Sequence, residues 1–334
     1  MNKIAIIGAG SWGTALAIVL SRSRKPHAIS LWAHEPEIVD SVRTRRVNDI
    51  FLPGFELPEA VSVTGDIAEA VRDANIVLGV MPSQHARGLY SRILPHLSPG
   101  AAIVSATKGL EPESLHRMSE VVAQAGADAK SLRVAAMSGP SFAREVARGD
   151  PTAIVIASKD ASLAGEVQEE FSGPTFRLYT NSDITGVELG GAIKNVIAIA
   201  AGVTEGLGLG HNSLAALITR GLAEMSRLGI ALGGKPETMS GLAGMGDLVL
   251  TCTGALSRNR SVGVELGKGR KLEEIIGAMR MVAEGVPTTA AAQTIAKRMG
   301  IEMPITEQMH AVLYEGRAPL DAIRELMERR LKGE

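Results

Sequence analysis

The feature that most constrains the fold is a glycine-rich turn near the N-terminus, Gly8-Ala9-Gly10-Ser11-Trp12-Gly13. It directly follows the apolar run at residues 4–7 and opens an apolar, helix-favouring stretch at 14–21. In a G-x-G-x-x-G turn of this kind, the first glycine allows a tight turn, Gly10 lets the backbone approach a pyrophosphate and Gly13 lets helix and strand pack closely. The helix N-terminus adds free N–H groups and a positive dipole end. The pattern predicts a dinucleotide-binding βα unit; the alternative is a glycine-rich turn without a ligand.

Short aliphatic runs recur through the first half of the chain, and their nearly continuous apolar positions are typical of strands buried on both faces. Helix-like stretches, including 14–21 and 111–124, lie between most of these runs. Repeated strand–helix–strand units imply right-handed crossovers, so the sequence predicts a mainly parallel, Rossmann-like sheet. The runs occupy residues 4–7, 29–32, 76–80, 102–104, 134–137, 152–157 and 176–179.

The second half of the chain contains no convincing strand and is predicted to be helical. Asn212 and Ser213 are plausible N-caps for a helix whose apolar stripe runs through 214–228. The glycine-rich segment 202–210 suggests a flexible connector before that helix.

The length of 334 residues favours two domains, at about 150 residues per domain. The change from strand–helix alternation to helices alone falls near residue 185. We therefore expect an α/β domain over residues 1–185, which binds the dinucleotide, and an all-helical domain over residues 186–334.

Composition and charge argue against several classes of protein. Lys and Arg number 35 against 36 Asp and Glu, so no global basic field attracts nucleic acid or an anionic membrane. The lone Cys252 excludes an intrachain disulfide and a multi-cysteine metal site, and no other cluster at ligand spacing suggests a metal. The N-terminal apolar run is too short for a signal peptide, and no segment reads as a membrane span. We expect a cytoplasmic protein without stable membrane insertion.

The residue at the end of the second predicted strand bears on cofactor choice. An NAD-selective site usually places Asp or Glu there, to hold the ribose 2′-hydroxyl. Here the position falls on His34, with Glu35 one residue beyond, and Arg43, Arg45 and Arg46 follow in the next segment. A histidine tolerates a 2′-phosphate, so the sequence favours NADP(H), with NAD(H) as an alternative. The contrary interpretation is that these side chains are ordinary surface residues.

Two loops that follow predicted strands carry polar residues suited to an anionic ligand. Lys108 follows the strand at 102–104, and Ser141 follows the strand at 134–137 as a candidate N-cap. Both loops lie at the carboxyl edge of the sheet, where ligands bind in folds of this kind. Taken singly, each is more often an ordinary βα loop.

Three charged residues of the second half stand in unusual surroundings. Lys194 lies inside the apolar helical segment 190–197, and Asp247 lies in a glycine-rich apolar stretch. Because a lysine is seldom fully buried without a partner, Asp247 is its candidate partner. Arg258 follows the candidate N-cap Ser257, and an arginine at a helix N-terminus suits a phosphate. The alternatives are a lysine that reaches solvent, a turn aspartate and an exposed basic turn.

Together these motifs resemble one family, the bacterial NAD(P)-dependent glycerol-3-phosphate dehydrogenases. The matching strings run in family order over nearly the whole chain. Met245 and Ala283 are variable features at positions with no expected polar role. The matching strings stand at residues 8–15, 106–110, 138–143, 189–196, 218–224, 244–248, 257–260, 282–285 and 302–306.

The resemblance implies a Rossmann-like domain, an all-helical domain for substrate binding and catalysis, and an active site between them. It implies reversible reduction of dihydroxyacetone phosphate to sn-glycerol 3-phosphate for phospholipid biosynthesis, by a homodimer. Together with the glycines of the turn, the implied cofactor contacts are Gly8, Gly10, Ser11, Trp12, Gly13, His34, Lys108, Ala143, Arg258, Val282 and Glu284. The implied substrate contacts are Lys108, Gly139, Ser141, Lys194, Asp247, Ser257, Arg258 and Asn259.

The chemistry of ketone reduction agrees with the charged residues. Hydride attack on a carbonyl builds negative charge on its oxygen, which requires a positioned cation or acid. Lys194, which matches the family's catalytic lysine, fits as general acid and base, with Lys108 nearby and Asp247 fixing its orientation. Two lysines in one apolar cleft are expected to lower the pKa of at least one of them.

Two other functions remain open at this point. One is a related two-domain reductase acting on a small oxo- or hydroxy-acid, although a carboxylate substrate needs no phosphate pocket at Arg258. The other is a non-enzymatic NADP(H)-sensing protein or scaffold, which has no use for Lys194 and Asp247.

Overall fold

A computed structural model describes residues 2–126 and 132–330 of the chain. The outermost residues of both predicted domains, residue 1 and residues 331–334, lie outside this description. The strands are Asn2–Ile7 (β1), His27–Trp32 (β2), Val61–Thr64 (β3), Ile76–Gly79 (β4), Ala102–Ser105 (β5), Arg133–Ser138 (β6), Thr152–Ala157 (β7) and Phe176–Asn181 (β8).

The helices alternate with these strands and then continue alone to the end of the described chain. Those among the strands are Ser11–Leu20 (α1), Pro36–Arg45 (α2), Ile67–Val71 (α3), Ala86–Ile93 (α4), Met118–Ala125 (α5), Ala143–Arg148 (α6) and Ala161–Phe171 (α7). Those that follow are Ile184–Gly206 (α8), His211–Ala231 (α9), Pro236–Ser240 (α10), Asp247–Thr253 (α11), Arg258–Gly267 (α12), Leu272–Gly277 (α13), Gly285–Met299 (α14), Pro304–Tyr314 (α15) and Pro319–Met327 (α16).

The eight strands form one sheet in the order β3-β2-β1-β4-β5-β6-β7-β8. All neighbouring pairs are parallel except β6 and β7, which are antiparallel. The first six strands have the Rossmann order, in which β1 lies between β2 and β4 at the point where the strand order reverses. The predicted fold class, a Rossmann-like, mainly parallel sheet followed by an all-helical region, is confirmed; the short edge strand β3 was not predicted.

Helices cover both faces of the central strands, which explains why β1, β4 and β5 are mainly aliphatic and buried. On one face α1 packs against α6, while α4 and α5 pack together on the other. Alternate residues of β1 divide between the two cores, with Ile4 and Ile6 in one and Ala5 and Ile7 in the other. The helices packed on the two faces of the sheet therefore fix the positions of the carboxyl ends of the strands.

Helix α8 is the central helix of the C-terminal half, with α9, α11, α12 and α14 packed around it. Its 23 residues are long and apolar enough to cross a membrane by length and composition, but 94% of the relevant window is buried inside the protein. A helix apolar on all sides and surrounded by other helices is the core of a globular domain. The polar side chains in the buried part of α8 therefore lie in the protein interior, whereas Glu205, near the end of the helix, is exposed.

The expected flexible connector at 202–210 is wrong over its first half, because α8 continues to Gly206. A Cβ at Gly202 would overlap the carbonyl oxygen of Arg260, and a Cβ at Gly263 would overlap that of Ile199. These glycines serve close contact between the backbones of α8 and α12, not flexibility. The N-cap of α9 is Gly210, so the prediction of Asn212 or Ser213 as N-cap is also wrong.

The helix predicted over 111–124 is confirmed only from Met118 onward. Before it, the chain turns sharply at Leu115, which has a φ of 65°. Leu110 and Leu115 both pack against the core of the C-terminal helices. This tertiary contact overrides the local helical pattern and ties the loop that carries Lys108 to the second half of the molecule.

Candidate active site

The glycine-rich turn between β1 and α1 has the geometry that its sequence predicts. Gly8 has a φ of +122°, and a Cβ there would lie 2.6 Å from the Val80 carbonyl oxygen. A Cβ at Gly13 would overlap the Gly8 carbonyl oxygen, whereas a Cβ at Gly10 would meet no atom within 4 Å. Helix α1 begins at Ser11 without a side-chain cap or an acidic residue in its first turn. The turn therefore has an open side lined by free amides, which fits a pyrophosphate.

The side chains considered for the 2′-phosphate follow β2. His34 lies two residues beyond the end of β2, is exposed, and has its ring 6.0 Å from that of Trp32. Arg45 pairs with Asp49 at 2.7 Å, while Arg46 donates to the carbonyl oxygen of Leu57 at 3.1 Å. Arg43 likewise donates to a backbone oxygen, that of Val63, at 3.3 Å, whereas the exposed His34 remains open to a ligand.

A lysine–aspartate network joins the two halves of the molecule. Asp247 is buried, and one of its carboxylate oxygens accepts a hydrogen bond from Lys194 Nζ at 2.5 Å. The other oxygen accepts from Lys108 Nζ at 2.8 Å. Lys108 also donates to the Gly139 carbonyl oxygen at 2.8 Å and to Ser141 Oγ at 3.2 Å. The structure therefore brings together all five of these predicted residues.

The fold places these side chains from four different elements. Lys108 follows β5, Gly139 and Ser141 follow β6, Lys194 lies in the middle of α8, and Asp247 is the first residue of α11. The carboxyl ends of the parallel strands β5 and β6 meet the side of α8, so the network lies at the ligand-binding edge of the sheet.

The two glycines before Lys194 allow this close approach of α8 to its surroundings. A Cβ at Gly190 would lie 2.6 Å from the Ala243 carbonyl oxygen. A Cβ at Gly191 would overlap Ser138 Oγ and lie 3.6 Å from Lys108 Cγ. A larger side chain at either position would push α8 away from the loops that carry Lys108 and Asp247.

Burial and mutual charge set the protonation states of this network. Burial, together with the neighbouring Lys108, lowers the pKa of Lys194 to about 8, although Asp247 opposes the shift. Burial favours the neutral form of Asp247, but the two lysines outweigh it and hold the pKa of this carboxyl below its ordinary value. The centre thus combines a fixed carboxylate with an amine that exchanges its proton near neutral pH.

A second group of predicted residues surrounds the N-terminus of α12. Ser257 Oγ caps the helix by accepting from the Arg260 amide at 3.2 Å. Arg258, the first residue of the helix, is exposed and donates to the Val282 carbonyl oxygen at 3.0 Å. Cation, free amides and helix dipole combine here into an anion-binding arrangement.

Asn259 connects this group to the lysine network. Its Nδ2 donates to Asn195 Oδ1 at 2.9 Å, and its Oδ1 accepts from the Gly285 amide at 2.9 Å. Asn195 in turn donates from Nδ2 to the Lys108 carbonyl oxygen at 3.1 Å. The buried Asn259 therefore fixes the start of α12 beside the residue that follows Lys194.

Glu284 and Ala143 lie at the edges of the same region. The Glu284 carboxylate accepts from the Ser83 amide at 2.9 Å and from Ser83 Oγ at 2.6 Å, and burial raises the pKa of Glu284. A Cβ at Gly109 would overlap the same carboxylate, so Glu284 packs against the loop of Lys108. Ala143 is the half-buried first residue of α6. The hydrogen bonds between Ser83 and Glu284 therefore join the loop that follows β4 to the start of α14.

Three polar residues of the region were missed at the sequence level. Thr251 Oγ1 accepts from Lys194 Nζ at 2.7 Å, and its position four residues after Asp247 could have indicated a shared helix face. Asn195 stands beside Lys194 in sequence. Ser83 carries no local signal, because its partner Glu284 lies 201 residues away. Among the described residues, no group of three His, Cys, Asp or Glu side chains is placed to hold a metal ion.

Comparison with known proteins identifies relatives over the full length of the chain. The N-terminal sequence model of NAD-dependent glycerol-3-phosphate dehydrogenase matches residues 3–164, and the C-terminal model matches residues 183–324. A glycerol-3-phosphate dehydrogenase (NAD(P)+) of Koribacter versatilis is 62% identical over 98% of both chains. One of Citrifermentans bemidjiense is 56% identical over 100% of this chain and 99% of its own. The crystal structure of a glycerol-3-phosphate dehydrogenase from Coxiella burnetii superposes with a TM-score of 0.93, at 42% identity, over 98% of this chain and 99% of that one.

Proposed function

The chain belongs to the NAD-dependent glycerol-3-phosphate dehydrogenase family, and we propose that it reduces dihydroxyacetone phosphate reversibly to sn-glycerol 3-phosphate with Lys194 as general acid and base. The observation that carries the assignment of Lys194 is its position: a buried amine with a pKa of about 8, 2.5 Å from a buried carboxylate. A proton donor with a pKa near the working pH is suited to general acid catalysis.

Each of the other steps of the reaction is assigned to particular residues of the site. A reduced nicotinamide cofactor, when bound, supplies a hydride to the carbonyl carbon. Lys194 Nζ donates a proton to the carbonyl oxygen, while Asp247 and Thr251 hold this amine in place. Lys108 adds positive charge beside the same carboxylate, and Arg258 with the N-terminus of α12 holds the substrate phosphate.

Loss of NADPH absorbance on mixing the protein with dihydroxyacetone phosphate tests this function, with a panel of 2-oxo acids as comparison. Turnover of the phosphorylated ketone alone supports the proposal. Turnover of an oxo acid without turnover of dihydroxyacetone phosphate would favour the related-reductase alternative, and no turnover at all would favour a sensor or scaffold.

The cofactor preference is a separate proposal, in which NADP(H) is used at least as well as NAD(H). His34 stands exposed where an NAD-selective enzyme carries an acid, so a 2′-phosphate meets no repulsion. We expect His34→Asp to shift the ratio of kcat/KM for NADPH over NADH toward NADH, with His34→Asn as a neutral control. A wild-type ratio that favours NADH more than tenfold would contradict the proposal.

The lowered pKa of Lys194 predicts opposite pH profiles for the two directions. Ketone reduction requires the protonated amine, so kcat/KM should fall as pH rises through about 8. Alcohol oxidation requires the neutral amine, so its kcat/KM should rise through the same range. Initial rates between pH 6.5 and 9.5 in both directions test this, and parallel profiles would argue against Lys194 as the shared acid and base.

The biological setting completes the proposal. We infer a division of the chain into a dinucleotide-binding part over 1–185 and a catalytic, substrate-binding part over 186–334, in a cytoplasmic homodimer that supplies phospholipid biosynthesis. The end of β8 at Asn181 and the start of α8 at Ile184 support this boundary. Sedimentation velocity of the purified protein tests the dimer.

A further inference from the structure

Asn48 is a buried polar residue outside the active site that contacts the glycine-rich turn directly. It lies between α2 and β3 and is only 1% exposed. Its Nδ2 donates to the Ala9 carbonyl oxygen at 2.7 Å and to Thr14 Oγ1 at 2.8 Å. Its Oδ1 accepts from the Phe51 amide at 3.1 Å, so the loop of Asn48 holds the side chain in place. Both donor contacts of this amide therefore go to the segment that forms the turn and opens α1.

The contact with Ala9 fixes the orientation of a whole peptide unit. In a trans peptide the carbonyl oxygen of one residue and the N–H of the next point in opposite directions. Because the Ala9 carbonyl points to Asn48, the Gly10 N–H points away from it. The surroundings of Gly10 are open, since a Cβ there would meet no atom within 4 Å.

The turn needs an external contact of this kind, because glycines stand on both sides of Ala9. Glycine has a wide range of accessible backbone conformations, so a peptide between Gly8 and Gly10 can rotate at little steric cost. The Thr14 hydroxyl adds a weaker contact to the same Ala9 oxygen, at 3.3 Å. Asn48 holds both Ala9 and Thr14, and so joins the turn to the first turn of α1.

We propose that Asn48 is a positioning residue for cofactor binding: by holding the Ala9–Gly10 peptide, it presents the Gly10 N–H to the pyrophosphate. The inference rests on the proposed function, because it assumes a dinucleotide ligand. Asn48 acts through the backbone of the turn, and its own side chain is fully used by protein groups.

Two variants distinguish the positioning role of Asn48 from a purely structural role in packing the core. Asn48→Ala removes the contact, and Asn48→Asp keeps the shape but places a carboxylate oxygen against the Ala9 carbonyl oxygen. We expect Kd for NADPH and for ADP-ribose to rise about tenfold or more, since a hydrogen bond to a charged group is lost or misaligned. The Kd for adenosine 2′-phosphate, which lacks the pyrophosphate, should stay within about twofold. At saturating NADPH, kcat and the KM for dihydroxyacetone phosphate should also be unchanged.

Leu163→Ala is the matched control for a general loss of stability. Leu163 is fully buried in α7, which packs on the far strands β6, β7 and β8. An Asn48 variant that loses no more affinity for ADP-ribose than Leu163→Ala, or that loses adenosine 2′-phosphate equally, would overturn the proposal. Wild-type protein that binds neither NADPH nor NADH would instead overturn the proposed function itself.

A measurement on the wild-type protein keeps the inference testable if the variants do not fold. Amide hydrogen exchange by NMR should show the Gly10 N–H protected when ADP-ribose binds, because that N–H gains an acceptor. Unchanged exchange at Gly10, together with protection elsewhere in the turn, would show that the peptide held by Asn48 does not serve the ligand.

Discussion

Replacing Lys194 with methionine is expected to lower kcat for dihydroxyacetone phosphate reduction by about 10²–10⁴-fold, the usual contribution of a general acid. The substitution keeps the buried volume but removes the proton donor 2.5 Å from Asp247. Asp247 keeps its second partner, Lys108, so the buried carboxylate is not left without a counter-charge. Steady-state kinetics at saturating NADPH measure the effect.

The same variant should bind NADPH with nearly wild-type affinity, because the glycine-rich turn is a separate part of the structure. Lys297→Met, at an exposed position of α14, provides the control for loss of a lysine charge. Near-normal kcat in folded Lys194→Met protein would refute the catalytic role, and an equal loss of NADPH affinity would reassign Lys194 to cofactor binding.

Arg258→Ala is expected to raise the KM for dihydroxyacetone phosphate about tenfold or more, which corresponds to the roughly 1.5–3 kcal/mol of a charged hydrogen bond. The guanidinium stands at the N-terminus of α12, whose cap Ser257 leaves amides of the first turn free. Arg258→Lys should recover only part of the loss, since a point charge does not reproduce the planar fork of arginine.

The decisive measurement for Arg258 is a ratio between two substrates. Unphosphorylated dihydroxyacetone lacks the group that Arg258 is proposed to hold, so it should be a poor substrate of the wild type in both kcat and KM. If Arg258→Ala slows the phosphorylated and unphosphorylated ketones by the same factor, Arg258 does not hold the phosphate. The NADPH affinity of the variant reports separately on any contribution to the cofactor.

The central strands of the sheet were predictable because they are buried on both faces and are therefore mainly aliphatic. The strand that escaped prediction, β3, has four residues and forms an edge of the sheet, so its pattern is short and interrupted by the exposed Ser62. The glycines at 202 and 206 were misinterpreted for a different reason. Their packing partners lie in α12, about sixty residues later, and local sequence does not distinguish a glycine that bends from one that packs.

The residues of the candidate site also fall into two groups, those that local sequence could predict and those that only the folded chain reveals. Lys194 and Asp247 stood out because charged residues are rare in apolar segments, and the structure places them in direct contact. Ser83 and Asn48 look like ordinary polar loop residues, and only the folded chain brings them to Glu284 and to the glycine-rich turn. Sequence patterns thus indicated the proposed catalytic groups, while the residues that hold them depend on long-range packing.

The glycine contacts between α8 and α12 determine which length of substrate fits the proposed site. Backbones in direct contact at Gly202 and Gly263 leave little room for the two helices to shift relative to one another. In the proposed function, Lys194 on α8 contacts one end of the substrate and Arg258 on α12 the other, and the Asn259–Asn195 hydrogen bond joins the two helices between them. The span from reacting oxygen to phosphate is therefore set by contacts of the backbone, and a ketone one carbon longer or shorter would place either its oxygen or its phosphate out of register.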